Sequence, residues 1–595
     1  MSSEINCDEE MGENGDNFDN CYWPPVYPTG NHTVLYNVPI VQPNQPPIPR
    51  RSTPKWDSEH VRMPCSSMSQ YPLKKVRTRE NIGRYKVLVI FLAFLQSDGT
   101  SDVVSRWDLI KTALQPPIKS SRELETAILS YNSKYTKSWS FRGLHKLFDE
   151  CDEEDAEAFF DRLLPKIMDL ALQLPQLIPG SIPLLKQGRN HSISLSQQQI
   201  ACLLANAFLC TFPRRNTQKW ESEYGNYPDI NFNRLFGYTD ERCMEKIKCI
   251  CHYFRRVLNK MPTGVVTFSR RCVIREAMPR WDICDAPFRG IRVDVRTGGT
   301  IEEDGKGLLQ VDFANKFVGG GVLATGCVQE EIRFVICPEL LIARLFTEAL
   351  DKTEALHVIG PEQFSEYSGY AGSFLWKGNF ADDTPRDECG RRKCYIVAID
   401  ALHFAEQAQQ YQARLMIREL NKAYVGFLPP ERSKPISAVA SGNWGCGAFN
   451  GDAKLKSLLQ IMVCTLTRRN LVYFTFGDSN LKASIDELFN FLVEHQLTVQ
   501  NIYRCLCEFS RKKLPGHTLY DYIYEKFRES QRSSRSPRNS PRTSRSPRNS
   551  ESEDLAPSLV DCLDDYYVRE NPNKRKPSPV VVSIQPKIAD FFKKL

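Results

Sequence analysis

The sequence predicts an α/β layered sheet preceded by an all-helical segment, with low-complexity tails at both ends. Three observations carry this. From about residue 264 onward short β-rich runs alternate with helical stretches, the pattern of a layered sheet. From about 107 to 212 apolar residues instead recur every three or four positions. Finally, 595 residues are too many for one ordinary core, and both ends depart in composition from the middle. The resulting segments are 1–54, mostly disordered; 55–235, helical; 236–520, α/β; and 521–595, disordered.

Residues 1–54 are rich in Pro, Asn, Asp and Gly, with Pro24-Pro25 and a proline cluster at 43–49. Within them, 32–40 is β-branched and aromatic enough to pair with a folded body. In the helical segment, Ser196 followed by Gln199 matches a capping box, opening an amphipathic stripe of Ile200, Leu203, Leu204, Ala207 and Phe208. The acidic run 149–155 lacks the glycine of a calcium loop and suits a helix N-terminus.

The β-rich runs are 265–268, 291–295, 308–313, 356–359, 395–399, 436–439 and 471–476, and helical patterns at 338–350, 405–423, 452–467 and 485–495 alternate with several of them. Such sheets bind ligands at the carboxyl ends of their strands, and the chemically loaded residues fall there. Asp312 and Asn315 lead into Gly319-Gly320-Gly321, then Gln329-Glu330-Glu331. Three consecutive glycines permit a backbone that a Cβ forbids, including close approach to phosphate or sugar, and the carboxylates supply acid–base groups beside it. Asn443-Trp444-Gly445-Cys446-Gly447-Ala448-Phe449 follows another strand and precedes a helix. Two glycine loops leading toward helices suit a diphosphate. Neither is a nucleotide-triphosphate loop, since 299–306 has five intervening residues and Gly307 where Ser or Thr belongs. Tyr367, Tyr370, Phe449 and Phe476 are candidates to stack a base or cover a ribose. Being adjacent, Glu330 and Glu331 point about 100° apart on a helix and cannot flank one bond symmetrically.

The net charge of +7 is modest for this length and does not by itself imply nucleic-acid binding. Met1 to Asp19 is acidic without an apolar core, so no signal peptide is expected. The 20 cysteines contain no CxxC pair and read as reduced thiols of an intracellular protein. Cys243, Cys249, Cys251 and His252 lie close in sequence but face different ways on a helix, so no metal site is expected, nor any cofactor or membrane span. Two basic clusters, 74–79 and 574–577, are candidate nuclear import signals.

After about residue 527 the unit Arg-Ser-Pro-Arg-Asn-Ser occurs twice, at 535–540 and 545–550, with Ser-Pro pairs that phosphorylation would turn from cationic toward neutral. The final residues carry Gln585, Ile588, Phe591 and Phe592. The spacing puts the last three on one face of a helical turn and resembles the peptide with which many proteins plug the replication sliding clamp (PCNA).

The residues around the glycine loop resemble the poly(ADP-ribose) glycohydrolase family, animal type. The resemblance rests on Val311-Asp312-Phe313-Ala314-Asn315, the three glycines, Gln329-Glu330-Glu331-Ile332-Arg333-Phe334, Glu366 through Ala371, and the Asn443 to Phe449 loop. Residues 197–208 resemble the family's helical accessory domain, so the likeness spans roughly 100–515 and leaves the tails unaccounted for. It implies an ADP-ribose-binding macrodomain, a mixed sheet flanked by helices, acting on poly(ADP-ribose); a monomer is expected, and the two basic clusters with the clamp-like peptide lead us to expect it in the nucleus with some cytoplasmic pool. It implies Glu331 as general acid and base, Glu330 and Gln329 near the reacting sugar, and Asp312 and Asn315 supporting it. Gly320 and Gly321 would approach ribose and diphosphate, while Ile301 and Glu302 read the adenine edge and Tyr370 stacks on it. Tyr367, Phe476, Asn443, Gly445, Cys446, Gly447, Ala448 and Phe449 would complete the wall. The rival readings are a macrodomain that binds ADP-ribose without cutting it, which needs the glycines but no acid, and a nucleic-acid scaffold built on the Arg/Ser tail.

Overall fold

A computed structural model of the chain describes residues 23–42, 44–72, 103–216, 221–430 and 437–535. The Arg/Ser repeats from 536 on, both basic clusters and the clamp-like peptide lie outside the described residues.

Nine strands form one mixed sheet: β1 (His32–Val34), β2 (His191–Ser196), β3 (Val265–Cys272), β4 (Val293–Arg296), β5 (Leu309–Ala314), β6 (Glu354–Ile359), β7 (Tyr395–Asp400), β8 (Val439–Gly442) and β9 (Leu471–Phe474). Their order across the sheet is β1-β2-β3-β6-β7-β5-β8-β9-β4. Strands β7, β5, β8, β9 and β4 run parallel, so their carboxyl ends share one edge. From β2 through β3 and β6 to β7 the pairing is antiparallel. Central strands are buried on both faces, as in Tyr395–Asp400, where every residue is buried.

Two expectations are corrected here. The helical segment is not all-helical, because β2 belongs to the sheet. Its alternate serines would be an exposed face on an ordinary strand. Instead they are satisfied by a buried hydroxyl ladder, Ser192 with Ser269 and Ser194 with Thr267 at 2.8 and 2.7 Å. Nor is the proline-rich stretch from Trp23 on disordered: β1 adds to β2 in parallel register, and Trp23, Val26, Leu35 and Tyr36 are buried.

The helices of the helical segment include α1 (Arg106–Leu114), α2 (Ser121–Ser130), α3 (Arg142–Asp149), α4 (Leu164–Leu172) and α5 (Gln197–Phe208). The capping box forms as expected: Ser196 Oγ accepts from the Gln199 amide at 3.1 Å and Gln199 Oε1 accepts from the Ser196 amide at 3.0 Å. The stripe expected on α5 becomes burial on nearly every side, Gln198 alone excepted. Its polar residues allow this because they are satisfied, as where the Asn206 amide donates to Ala171 O and Cys202 O. After β2 and α5 comes α6 (Glu241–Asn259), and the core is continuous from the helices to the sheet.

The helix expected at 338–350 is mostly something else. A 3-10 turn (Pro338–Ile342) and one α turn (Ala343–Phe346) are followed by extended chain, because the amides of Ala349 and Leu350 bond outward to Asn226 O and Lys316 O. The helix nearest the glycines is α7 (Gln329–Ile336), and the two glutamates lie in its first turn. Two more helices pack the other end: α8 (Ala413–Phe427) and α9 (Ala453–Thr467).

Candidate active site

Strand β5 alternates Gln310 and Asp312 onto the face beneath α7, and the helix is docked there by its first side chain. Gln329 Oε1 accepts from the Phe313 amide at 2.8 Å, and its Nε2 donates to Val311 O at 3.2 Å. One helical residue later, Glu330 turns back under the loop and accepts from the amides of Asn315 (2.9 Å) and Gly319 (2.5 Å). Glu331 faces the other arm, accepting from the Gly321 amide through Oε1 at 2.8 Å and from the Val328 amide through Oε2 at 2.9 Å. The two carboxylates thus diverge onto different stretches of one loop, as adjacency on a helix requires.

The glycines are needed where they stand. Gly319 and Gly320 have φ of +85° and +44°. A Cβ on Gly320 would lie 2.6 Å from Glu331 Oε1 and 2.7 Å from Glu330 Oε2. One on Gly326 would meet Glu331 Oε1 at 2.6 Å.

Three acids share a dry site: Asp312, Glu330 and Glu331 are 1%, 2% and 7% exposed. Burial, reinforced by the Glu331 charge and opposed by Arg333, pushes the Asp312 carboxyl up to about 8. Among the described residues neither Asp312 oxygen has a hydrogen-bond partner. Burial and then the charges of Asp312 and Glu331 push Glu330 well above the usual carboxylate range, against the pull of its two amide donors. Glu331 is the acid most open to solvent, and hence to a substrate.

Ile301 and Glu302 follow the Gly298-Gly299 turn after β4 and, with Asp312 and Gln329, line one narrow cavity. The Tyr367 hydroxyl donates to Glu302 Oε1, fixing that carboxylate. Tyr370 is 56% exposed, and burial and the Glu331 charge raise its phenol, whose oxygen lies by the Gln329 backbone. Asn443 accepts from the Tyr473 hydroxyl at 2.9 Å at the end of β8, and Gly445 (φ +76°) packs its Cα against Ala401 at the end of β7. Cys446 lies half-buried in the following turn, while Gly447 and Ala448 are exposed. Phe449 O accepts from the Phe404 amide, and its ring meets His403 edge-on. Phe476, at φ +53° and 48% exposed, stands at the end of β9 with its ring close over Gly442. The structure therefore gathers Asp312, Asn315, Gly320, Gly321, Gln329, Glu330 and Glu331 around one loop, with Glu330 bonded to the Asn315 and Gly319 amides, Glu331 to the Gly321 and Val328 amides, and Ile301, Glu302 and Tyr367 beside them. The 443–449 loop and Phe476 gather at neighbouring strand ends, with no hydrogen bond to the carboxylates among the described residues.

Two residues under the loop escape sequence reasoning. Arg344 is buried and donates from Nη1 to Val318 O at 2.8 Å and Gly320 O at 3.2 Å. Lys246, wholly buried on α6, donates to Val322 O, Ala324 O and Gly326 O at 2.9, 2.5 and 2.7 Å. Nothing in a helix reading "Met-Glu-Lys-Ile-Lys" sets one lysine apart. No group of three His, Cys, Asp or Glu able to hold a metal occurs among the described residues. The cysteines of α6 serve packing and hydrogen bonds, Cys243 Sγ to Ala324 O among them.

Comparison with known proteins decides the family. The model of the poly(ADP-ribose) glycohydrolase catalytic part, of macrodomain fold, matches residues 278–483, and that of the family's helical domain matches 151–270. Poly(ADP-ribose) glycohydrolase 1 of Arabidopsis thaliana is 32% identical over 459 residues, covering 62% of this chain and 82% of that protein. The chain belongs to the poly(ADP-ribose) glycohydrolase family. Other glycohydrolases it resembles are the probable poly(ADP-ribose) glycohydrolase 2 of the same plant, 32% identical over 456 residues (66% of this chain, 86% of that one), and poly(ADP-ribose) glycohydrolase 2 of Caenorhabditis elegans, 34% over 281 residues (44% and 57%). Within this glycohydrolase fold the macrodomain sheet and the helical domain share one core, and the acids sit where β5 and α7 meet.

Proposed function

We propose that this chain hydrolyses the ribose–ribose O-glycosidic bonds of poly(ADP-ribose) and releases ADP-ribose. The observation that carries the reading is Glu331 itself. A binder of ADP-ribose needs the glycine loop, but not a carboxylate suspended between the loop's two arms by Gly321 and Val328. In the protonated state Glu331 gives its proton to the leaving ribose 2′-oxygen as the anomeric C–O bond breaks and oxocarbenium character grows. The resulting carboxylate then takes a proton from the attacking water, whose oxygen bonds to the anomeric carbon. One acid suffices for both halves, and Glu330 orients the neighbouring ribose hydroxyls while holding the loop at Asn315 and Gly319. Gly320 and Gly321 approach ribose and diphosphate by backbone. Ile301 and Glu302 read adenine, with Tyr367 bracing Glu302 and Tyr370 stacking on the base. Phe476 and the 443–449 loop close the far wall.

The test is turnover of purified chain on poly(ADP-ribose), with no added metal, read as free ADP-ribose. Glu331→Gln is expected to cut kcat by about 10²- to 10⁴-fold while ADP-ribose affinity changes little. Near-normal turnover by this variant would remove the assignment. Glu330→Gln is expected to be damaging too, through misplacement of the sugar.

Animal-type membership is part of this proposal, supported by the nematode relatives. So are a monomeric state, a nuclear site of action with some cytoplasmic pool, and a role in reversing poly(ADP-ribosyl)ation in DNA damage response and chromatin. The basic clusters at 74–79 and 574–577 support nuclear entry, which a purely cytoplasmic tagged chain would disprove. Gln585, Ile588, Phe591 and Phe592 support docking on the sliding clamp.

A further inference from the structure

Along 317–326, the loop that carries the Gly321 amide, the hydrogen-bonded carbonyls alternate in direction. Odd-numbered carbonyls stay within the loop: Phe317 O, Gly319 O and Gly321 O accept from the amides of Gly320, Val322 and Ala324, and Gly321 O also from Gly326. Even-numbered carbonyls point the other way, to two buried cations. Val318 O and Gly320 O go to Arg344, and Val322 O, Ala324 O and Gly326 O go to Lys246. Both cations are more than nine-tenths buried. Burial lowers the Lys246 ammonium, while Glu331 is among the charges that raise it again.

Three carbonyls converging on one point need a compact donor with three N–H bonds, which an ammonium supplies and a planar guanidinium does not. The three lie in the stretch 321–328, whose two ends carry the N–H groups that grip Glu331. Lys246 comes from α6, a helix that also touches the loop through Cys243 Sγ. We propose that Lys246 is a positioning residue of the reaction: it ties the carbonyls of Val322, Ala324 and Gly326 to the helical side, which fixes the stretch between the Gly321 and Val328 amides and so keeps both in place to hold the Glu331 carboxyl in line with the scissile bond. Helix α6 is on this view part of the catalytic apparatus and not only a support for it. The inference rests on the assignment of Glu331 as the acid.

The experiment is steady-state hydrolysis of poly(ADP-ribose) by Lys246→Met, Lys246→Ala, Lys246→Arg and Glu331→Gln, alongside calorimetric binding of ADP-ribose. Lys246→Met is expected to lower kcat about 10²-fold, the usual cost of a small misplacement of a catalytic group, with KM and ADP-ribose affinity within about threefold. Lys246→Arg is expected to fail to restore kcat, for want of the right donor geometry. Lys246→Ala leaves a cavity beside the three carbonyls, and ethylammonium or propylammonium is expected to recover kcat in it, as no generally loosened fold would. Should Lys246→Met not fold, Lys246→Ala prepared with and without the amine gives the same readout. A kcat within threefold of the parent in Lys246→Met, or a loss in Lys246→Ala that no alkylammonium restores, overturns the inference. With Glu331→Gln inactive, that failure touches Lys246 alone; with Glu331→Gln active, it is the assignment of the acid that falls.

Discussion

Asp312→Asn is expected to make the protein more stable and less active, and the stability gain should depend on pH. Asp312 is 1% exposed on β5, has no hydrogen-bond partner on either oxygen among the described residues, and is pushed up to about 8 from an ordinary 3.8. The sign follows from linkage. The folded state keeps the Asp312 proton to higher pH than the unfolded state does, so this group's contribution to stability is complete below about pH 4 and is lost as pH rises toward 8. A neutral Asn mimics the protonated acid at every pH, and its amide can donate to the neighbouring carboxylates. The variant should therefore exceed the parent by up to about 5 kcal/mol near pH 8 and by about 2 kcal/mol near pH 5, relaxation of the site reducing both. For a chain of this size 1 kcal/mol moves the melting midpoint by roughly 1–2 °C, extending the trend with length. Thermal melts of both proteins at the two pH values are the assay. A variant melting at or below the parent near pH 8, or a gain that does not shrink toward pH 5, would refute the claim that Asp312 is held in the site against its own solvation. Poly(ADP-ribose) turnover should fall in the same variant, because the acid that costs stability is the one beside Glu331.

Gly320→Ala puts a Cβ into the oxygens of Glu330 and Glu331 at a left-handed φ, and is expected to abolish turnover by well over 10²-fold; parent-like kinetics would show the loop to be free to yield. Replacing Phe591 and Phe592 together by Ala should abolish capture of the sliding clamp and leave glycohydrolase turnover intact, and undiminished capture would refute the docking peptide.

How legible this site was in the sequence depended on the range of the forces involved. Gly319, Gly320 and Gln329 to Glu331 could be read because the reason for each residue is local: a positive φ at the two glycines, and a first helical turn whose amides and carboxylates complement one another. The capping box at Ser196 and Gln199 was legible for the same reason. The strand at 191–196 lies between helical periods that run across it, although its serines and apolar residues alternate; Ser192 and Ser194 find their reason in Ser269 and Thr267, more than 70 positions away, and Ser194 also in His32. Residues 338–350 read as helix by period, yet Asn226 and Lys316 take the amides that a helix would have used. Propensity lost there to tertiary hydrogen bonding.

Lys246 and Arg344 mark the limit of such reading, and they also show what the helical part of the chain contributes. A glycine-rich loop is a poor holder of fixed geometry, since each glycine gives up the most backbone entropy on ordering. Its hydrogen bonds to Glu330 and Glu331 cannot alone pay for that, because those carboxylates must stay available to a substrate. The remaining restraint comes from outside: five alternate carbonyls are tied to one cation from α6 and one from the turn Ala343–Phe346. The sheet alone could present the acids, but the flexible stretch that orients them is fixed from the helical side. A macrodomain core stripped of α6, which is built into the same continuous hydrophobic core as the sheet, should accordingly keep its glycines and lose the alignment of Glu331.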